Sequence, residues 1–269
     1  MKLLAITIIY YPQIAELIRN IQQYIHHVDK LIIWDNSPIE INTKLIKEKF
    51  VDKIIYITTG KNEYIAHPLN FALHYGIKNK YTHLLTMDQD SYWENIQSFI
   101  LEIDKIKLGN ILAYCPSIKN IYEFPQENKD FYELNECITS GTIYNLPICK
   151  ELGDFREDFK IDAVDLEYCY RGQSRGYKTI MLRQGSLSHH LGNPIKVYKW
   201  NSSNYSAIRT FYIIRNHIWT WKEYPSLFNK KQFLKKECLH RFIFILIGEK
   251  DKINKLCALI KGIILGIIK

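Results

Sequence analysis

The sequence predicts an α/β protein built on a doubly wound, mostly parallel central sheet flanked by helices. Three observations carry this. Short apolar runs alternate with helically spaced segments over roughly the first 116 residues. The apolar runs are nearly continuous, as in strands buried on both faces. Polar, acidic turns follow the strands, at the end where open α/β sheets bind ligands.

Residues 3–9 are an apolar run and read as the first buried strand. Residues 13–25 carry Ile14, Leu17, Ile18 and Ile21 at helical spacing. Residues 30–34 are a second strand, closed by the turn sequence Asp35-Asn36-Ser37-Pro38. A helix over 41–50, a strand over 53–58, a helix over 68–78 and a strand over 81–87 follow. A helix over 93–106 and a strand over 111–116 complete the alternation. The pattern then loosens. Residues 118–135 read as a loop and 137–144 as a strand with Ser140-Gly141 inside it. A helix over 165–175 is stopped by Gly176, and 178–182 form another strand. Residues 205–224 are a long aromatic helix ended by Pro225. The last 40 residues read as one or two amphipathic helices. The expected division is a domain over 1–225 and a C-terminal helical extension over 226–269.

A chain of 269 residues, 47% hydrophobic and 24% charged, has the size and composition of one globular domain with a small appendage. The formal net charge of +8 is compatible with an anionic membrane, nucleic acid or an anionic substrate, and also with solubility alone. Lysines crowd the end of the chain, from Lys230 onward. Six cysteines form no Cys-x-x-Cys pair and no zinc spacing, so reduced, buried thiols in a cytoplasmic protein are expected. No signal peptide is visible, and no apolar run approaches the ~18 residues of a membrane span.

The stretch Leu84-Leu85-Thr86-Met87-Asp88-Gln89-Asp90-Ser91 is the most informative. An apolar strand ends in two carboxylates one residue apart, and in extended chain these face one side. Hard oxygen ligands there suit Mg²⁺ or Mn²⁺, with a diphosphate completing the shell. A polar turn after a buried strand is the plainer alternative.

Other constellations have two readings each. Asp35 could accept a hydrogen bond from a nucleobase or simply form an Asx turn. Asn62 and Asn70, in the loop and helix after the third strand, could face a ligand or cap the helix. Asp162, Asp165 and Glu167 lie within six residues. One could act as general base on a hydroxyl, or the acids could serve the helix dipole. His189 and His190, before Gly192, could supply a metal ligand or be loop histidines. Arg209, Tyr212 and Asn216 share a helical face flanked by Arg215, and guanidinium groups suit phosphate oxygens.

In this order, the segments 87–91, 161–167, 189–192 and 209–216 resemble the family 2 glycosyltransferases of the GT-A fold. The likeness is nearest to bacterial rhamnosyltransferases that use a dTDP-sugar, and it covers roughly residues 3–220. The opening turn Tyr10-Tyr11-Pro12 departs mildly from the family's Tyr-Asn-Pro-like form. The resemblance implies that Tyr10, Asp35, Asn62, Asn70, Arg209, Tyr212 and Arg215 contact the nucleotide. It implies that Asp88 and Asp90 hold the metal and diphosphate, with His189 as a further ligand and His190 as the fallback. It makes Asp165 the catalytic base. The family's Glu-Asp pair is Val164-Asp165 here, so Glu167 and Asp162 stay open as substitutes. Ser140, Gly141 and Glu167 would line the sugar or acceptor pocket.

The implied activity is inverting transfer, with L-rhamnose from dTDP-rhamnose as first choice. The acceptor would be a hydroxyl of a growing cell-surface glycan or of a lipid-linked sugar. A UDP-hexose donor is the alternative within the same chemistry. The C-terminal helix could rest on an anionic membrane at the inner face of the cytoplasmic membrane, pack on the core, or join two subunits in a homodimer. A haloacid-dehalogenase-like phosphatase also uses Asp-x-Asp after a strand. Here three strands precede the pair, and Ser91-Tyr92 replaces the apolar-then-Thr pattern of that family. A non-catalytic basic module binding membrane or nucleic acid accounts for the charge and leaves the clustered acids unexplained. No nucleic-acid partner is expected.

Overall fold

In the computed structural model, which describes residues 1–39, 41–119, 121–125, 129–189, 195–197 and 200–268, the first strand sits at the heart of the sheet. β1 (Leu3–Ile9) is followed by α1 (Ile14–Gln22), β2 (Lys30–Asp35), α2 (Lys44–Lys49), β3 (Ile54–Thr58), α3 (Ala66–Lys78) and β4 (His83–Asp88). β1 pairs in parallel with β2 on one side and β4 on the other, and β3 extends β2. Alternate β1 residues enter two different cores, as the period of 2 requires. Leu4 and Ile6 pack with α3 residues such as Leu69 and Leu73, while Leu3, Ala5 and Ile9 pack with Leu17 and Ile21 of α1. In register, Ile8 lies opposite Asp88 on one flank and Ile9 opposite Asp35 on the other, so both acids reach the same carboxyl edge.

Beyond β4 the sheet stops being parallel. β5 (Ser91–Trp93), α4 (Ile96–Lys105), β6 (Ile111–Ile118), β7 (Phe131–Leu134), β8 (Thr142–Asn145), α5 (Leu146–Leu152), α6 (Val164–Ser174) and β9 (Lys178–His189) follow. β8 lies antiparallel between β4 and β6, β9 runs parallel to β6, and β5 and β7 pair antiparallel with β9. The spatial order is β3-β2-β1-β4-β8-β6-β9-β5, with β7 also on β9.

Several expectations change here. Trp93 belongs to a short strand, not to the start of a helix. Part of the expected loop 118–135 is β7, and the strand at 178 runs on to residue 189. Ser140-Gly141 precedes β8 instead of lying within it, because Gly141 adopts φ +78° and turns the chain. The helix α5 was not expected. It starts at Leu146 and places Pro147 in the first turn, where a missing N–H costs least.

The hairpin of β10 (Ile195–Val197) and β11 (Trp200–Ser202) leads to α7 (Ala207–Glu223). The remaining chain forms α8 (Lys230–Phe233), which passes through a π-helical stretch (Leu234–His240) into α9 (Arg241–Ile247), and then α10 (Lys252–Ile268). α10 lies along α7 at close range. A Cβ on Gly262 would stand 2.9 Å from the Phe211 carbonyl, and one on Gly266 would stand 2.9 Å from Ile218 side-chain atoms. A buried ion pair, Lys255 to Glu249 at 2.7 Å, fixes the turn between α9 and α10. Ser202 donates to the same glutamate, and Lys255 also donates to Asn204. The C-terminal helices therefore pack back on the domain.

Candidate active site

Two consecutive residues tie the acidic motifs together. The Thr139 amide donates to Asp165 Oδ2 at 3.3 Å, while the Ser140 hydroxyl accepts from the Asp88 amide at 3.3 Å. Ser140 in turn donates to Ser91 at 2.6 Å, and Thr86 donates to the Thr139 carbonyl. The turn before β8 thus joins the end of β4 to the start of α6, although these segments are separated by more than 70 residues. Both Ser140 and Ser91 are fully buried. Ser140 is therefore a brace at the end of β4, with its neighbour Thr139 making the contact to Asp165, and not part of a pocket lining. Gly141 is equally enclosed, since a Cβ there would meet Leu187 and Pro116 at 2.9 Å.

Asp88 is pushed up to about 7, first by burial and then by the charge of Asp90, with Arg209 opposing. Two carboxylates that repel each other at a strand end form a donor set a divalent cation would relieve. Among the described residues no three His, Cys, Asp or Glu side chains gather as a metal-holding group. Asp88 and Asp90 would supply two carboxylate ligands to such a cation and would leave room for diphosphate oxygens and water. The His189 backbone ends β9 opposite Ser91, which is the right neighbourhood. Its side chain, with residues 190–192, lies outside the described residues.

Asp165 sits in the first turn of α6 and its Oδ1 accepts from the Leu166 amide at 2.9 Å. Burial still dominates and pushes it up to about 6, with Asp162 and Glu136 adding to the rise. A carboxylate poised there is suited to take a proton near neutral pH. The competing acids are committed elsewhere. Asp162 holds Arg209 through contacts of 3.0 and 3.1 Å. Glu167 is fully buried and binds Arg171 through both oxygens, so it is a core ion pair and not a pocket residue.

Arg209 also stacks on Tyr205 at 4.1 Å. Burial would lower its pKa, but the charges of Asp162 and, more weakly, Asp88 raise it, so it stands charged beside the acidic pair. The loop leading through Asp162 to Asp165 is unusual, because Lys160, Asp162 and Ala163 all adopt left-handed backbone. Asn216 of α7 explains how it holds. Its amide nitrogen donates at 2.9 Å to the carbonyls of Phe159, Ile161 and Asp162. Asn216→Ala is expected to cost about 2–3 kcal/mol of stability, read as a lower urea midpoint. It should also lower turnover more than nucleotide affinity.

Asp35 is buried where β2 ends. It accepts from the Ser37 amide at 2.8 Å and from the Tyr56 hydroxyl. Together with Pro38, Lys47, Tyr56 and Thr58 it lines a cleft of about 690 Å³. Tyr10 closes onto the acidic loop, with its amide donating to Gln89 Oε1 at 2.8 Å. Other expected nucleotide contacts are bound up in structure. Asn62 makes an Asx turn with Tyr64. Asn70 is buried and exchanges both its polar groups with the Phe155 backbone, at 2.8 and 2.9 Å. Arg215 donates to Asn216 and to the Asp158 carbonyl and stacks on Trp219. Tyr212 is buried with its ring edge-on to Tyr64.

Sequence reasoning missed Thr139, Tyr56 and Ser91. Only Tyr56 carried a readable signal, as a polar group on a strand beside Asp35. Asn216 was noted for its face of the helix but not for the clamp it forms.

No protein-family model matches the chain. It is 24% identical over 233 residues to the dTDP-rhamnosyl transferase RfbF of Shigella flexneri, covering 79% of this chain and 77% of that protein. Among solved structures, TarS of S. aureus in complex with UDP-GlcNAc matches 98% of this chain and 82% of its own, with TM-score 0.60 and 15% identity. The mannosyltransferase PcManGT from Pyrobaculum calidifontis, in complex with GDP-Man and Mn²⁺, matches 100% and 86%, with TM-score 0.60 and 11% identity. GalNAc-T7 with UDP, GalNAc and Mn²⁺ matches 86% of this chain at TM-score 0.63 and 13% identity, and the chain spans about half (51%) of its length. The chain therefore has the GT-A fold of these glycosyltransferases, and over most of its length it is similar in sequence to a dTDP-rhamnosyl transferase.

Proposed function

We propose that the chain transfers a sugar from a nucleoside-diphosphate sugar to a hydroxyl by a single inverting displacement, with L-rhamnose from dTDP-rhamnose as the first-choice donor. The observation that carries this is the Thr139-Ser140 bridge between Asp88 and Asp165, which joins a donor-side acid to a base. Asp35 and Tyr56 offer the floor for a base, and Arg209 offers positive charge beside the diphosphate. A bound Mg²⁺ or Mn²⁺ would supply charge neutralisation for the departing diphosphate. Asp165 takes the proton from the acceptor hydroxyl, and the fixed frame of β4, the 139–141 turn and α6 supplies orientation.

Thermal stabilisation by dTDP, UDP and GDP and their sugars, with and without Mn²⁺ or Mg²⁺, tests the reading. A cation-dependent rise in Tm for the dTDP series is expected. A response confined to the UDP series would support a UDP-hexose donor instead. A folded protein that ignores every nucleotide would sink the proposal.

A membrane-surface setting, with a domain over 1–225 and an extension over 226–269, is part of this reading. Residues 226–269 contain ten Lys and Arg against three acidic residues. Exposed large apolar side chains crowd there too, including Phe242, Leu246, Ile253, Ile260, Ile264 and Ile267. No helix among the described residues is long and apolar enough to cross a membrane. Basic amphipathic surface of this kind favours anionic lipid. Sedimentation with vesicles should follow their anionic lipid content and weaken in Ile260→Glu/Ile264→Glu.

A further inference from the structure

Asp165 also lines a cavity of about 440 Å³ whose two walls are remote in sequence. One wall comes from the segment after β6, the segment before β8 and α6, and presents Tyr122, Glu136 and Tyr170. The other comes from the C-terminal extension and presents Phe228, Gln232 and Phe233. The volume falls within the ~300–1,000 Å³ usual for small-molecule sites. The extension therefore does more than cover the domain, because without it this cavity has only one wall.

The lining selects a chemistry. Phe228 and Phe233 pack edge to face at 5.6 Å, and His217 stacks on Phe233 at 5.5 Å, giving a firm apolar wall. Opposite, Glu136 is oriented by the Tyr170 hydroxyl at 3.1 Å and adds its charge to that of Asp165. Glu237 also faces the cavity but is neutralised by Arg241. Lys236 contributes one ammonium group, on an exposed residue. Aromatic faces suit the C–H face of a sugar ring, and carboxylates accept hydrogen bonds from its hydroxyls. A phosphate or uronate would meet the like charges of Glu136 and Asp165.

We propose that this cavity is the acceptor subsite and takes a neutral pyranoside, held between the Tyr122–Tyr170 side and the Phe233 wall with one hydroxyl at Asp165. This rests on the transfer chemistry proposed above. In the reaction the acceptor O–H proton passes to the Asp165 carboxylate, and the acceptor oxygen forms the new bond to the anomeric carbon. The bond from that carbon to the diphosphate oxygen breaks, and its electron pair leaves with the nucleoside diphosphate.

Saturation-transfer NMR on the full chain tests the site, using methyl glucoside, galactoside, rhamnoside and N-acetylglucosaminide beside methyl glucoside 6-phosphate and methyl glucuronide. The nucleotide thermal-shift series is run on the same samples. At least one neutral glycoside is expected to bind and the anionic pair to give no signal. Phe233→Ala and the exposed Gln232→Ala should each lower glycoside affinity at least about fivefold, with the nucleotide response retained. Gln232→Ala keeps the test informative if Phe233→Ala fails to fold. Nucleotide binding without any glycoside binding would overturn the acceptor site, as would equal binding of the phosphorylated sugar or unchanged affinity in both variants. Glycoside binding that is sensitive to these variants, in a protein deaf to all nucleotides, would uphold the cavity as a sugar site and overturn the transferase reading instead.

Discussion

Asp165→Asn is expected to lower kcat by roughly 10²–10⁴-fold, the usual contribution of a positioned general base. Asparagine keeps the shape, and its single oxygen can still accept from the Leu166 amide at 2.9 Å while only the longer 3.3 Å contact from the Thr139 amide to the other oxygen is given up, so most of the stability and the nucleotide affinity should be retained. Asp162→Asn provides the contrast. Its loss weakens the pair with Arg209, so it should raise KM for the donor more than it lowers kcat. If Asp165→Asn turns over at the wild-type rate, the base lies elsewhere. The pH profile supplies a second reading. The carboxylate is active only when ionised and burial has pushed it up to about 6, so kcat should rise with pH through about 6 and then level off. That rising limb should vanish from the residual activity of Asp165→Asn.

The second large effect is expected from Asp88→Asn/Asp90→Asn. Cation-dependent stabilisation by nucleotide should be lost and activity should fall at least about 10³-fold, as electrostatic support for the leaving group disappears. The same variant should nevertheless be the more stable protein when no cation is present. A carboxyl whose folded pKa is raised binds its proton more tightly in the native state than in the unfolded chain. Stability from Asp88 is therefore fully present below the unfolded value of 3.8 and is lost as pH rises through about 7. At pH 8 the wild-type protein has lost it, and the uncharged variant should be firmer by about 1–3 kcal/mol. Urea unfolding in chelator at pH 5 and pH 8 measures this. An unchanged difference between the two pH values would mean that Asp88 is not held against its charge.

Much of the site was legible because local chemistry carried it. Asp88 and Asp90 follow a continuous apolar strand, and Asp35 ends another. The two acids do lie close enough for the charge of Asp90 to act on Asp88, but Asp90 sits in the turn after β4, so the turn and not strand alternation brings them together. From the residues alone the base could be narrowed only to three acids, and it was the family resemblance that pointed to Asp165. The choice depends on Arg209 capturing Asp162 and on Arg171 capturing Glu167, the first over 47 residues and the second over four. The Glu167–Arg171 spacing of i, i+4 was a local signal that it belongs to a structural pair. Asn70 failed for a different reason. Its place near the start of a helix suggested a ligand contact, yet the Phe155 backbone, 85 residues on, engages both its polar groups, and Glu157 accepts from its amide as well.

The sequence by itself determined the alternation of β1 to β4 with α1 to α3, and with it the edge at which the acids gather. Continuous apolar runs and helical spacing report burial directly, and burial dictates both. Only the tertiary structure decided the antiparallel insertion of β8, the Thr139-Ser140 bridge, the Asn216 clamp and the cavity completed by the C-terminal helices. The first three depend on backbone groups meeting across long stretches of chain, and the cavity on helices packing across an equally long one. Backbone amides and carbonyls are the same in every residue, so no local pattern of side chains announces which of them will meet.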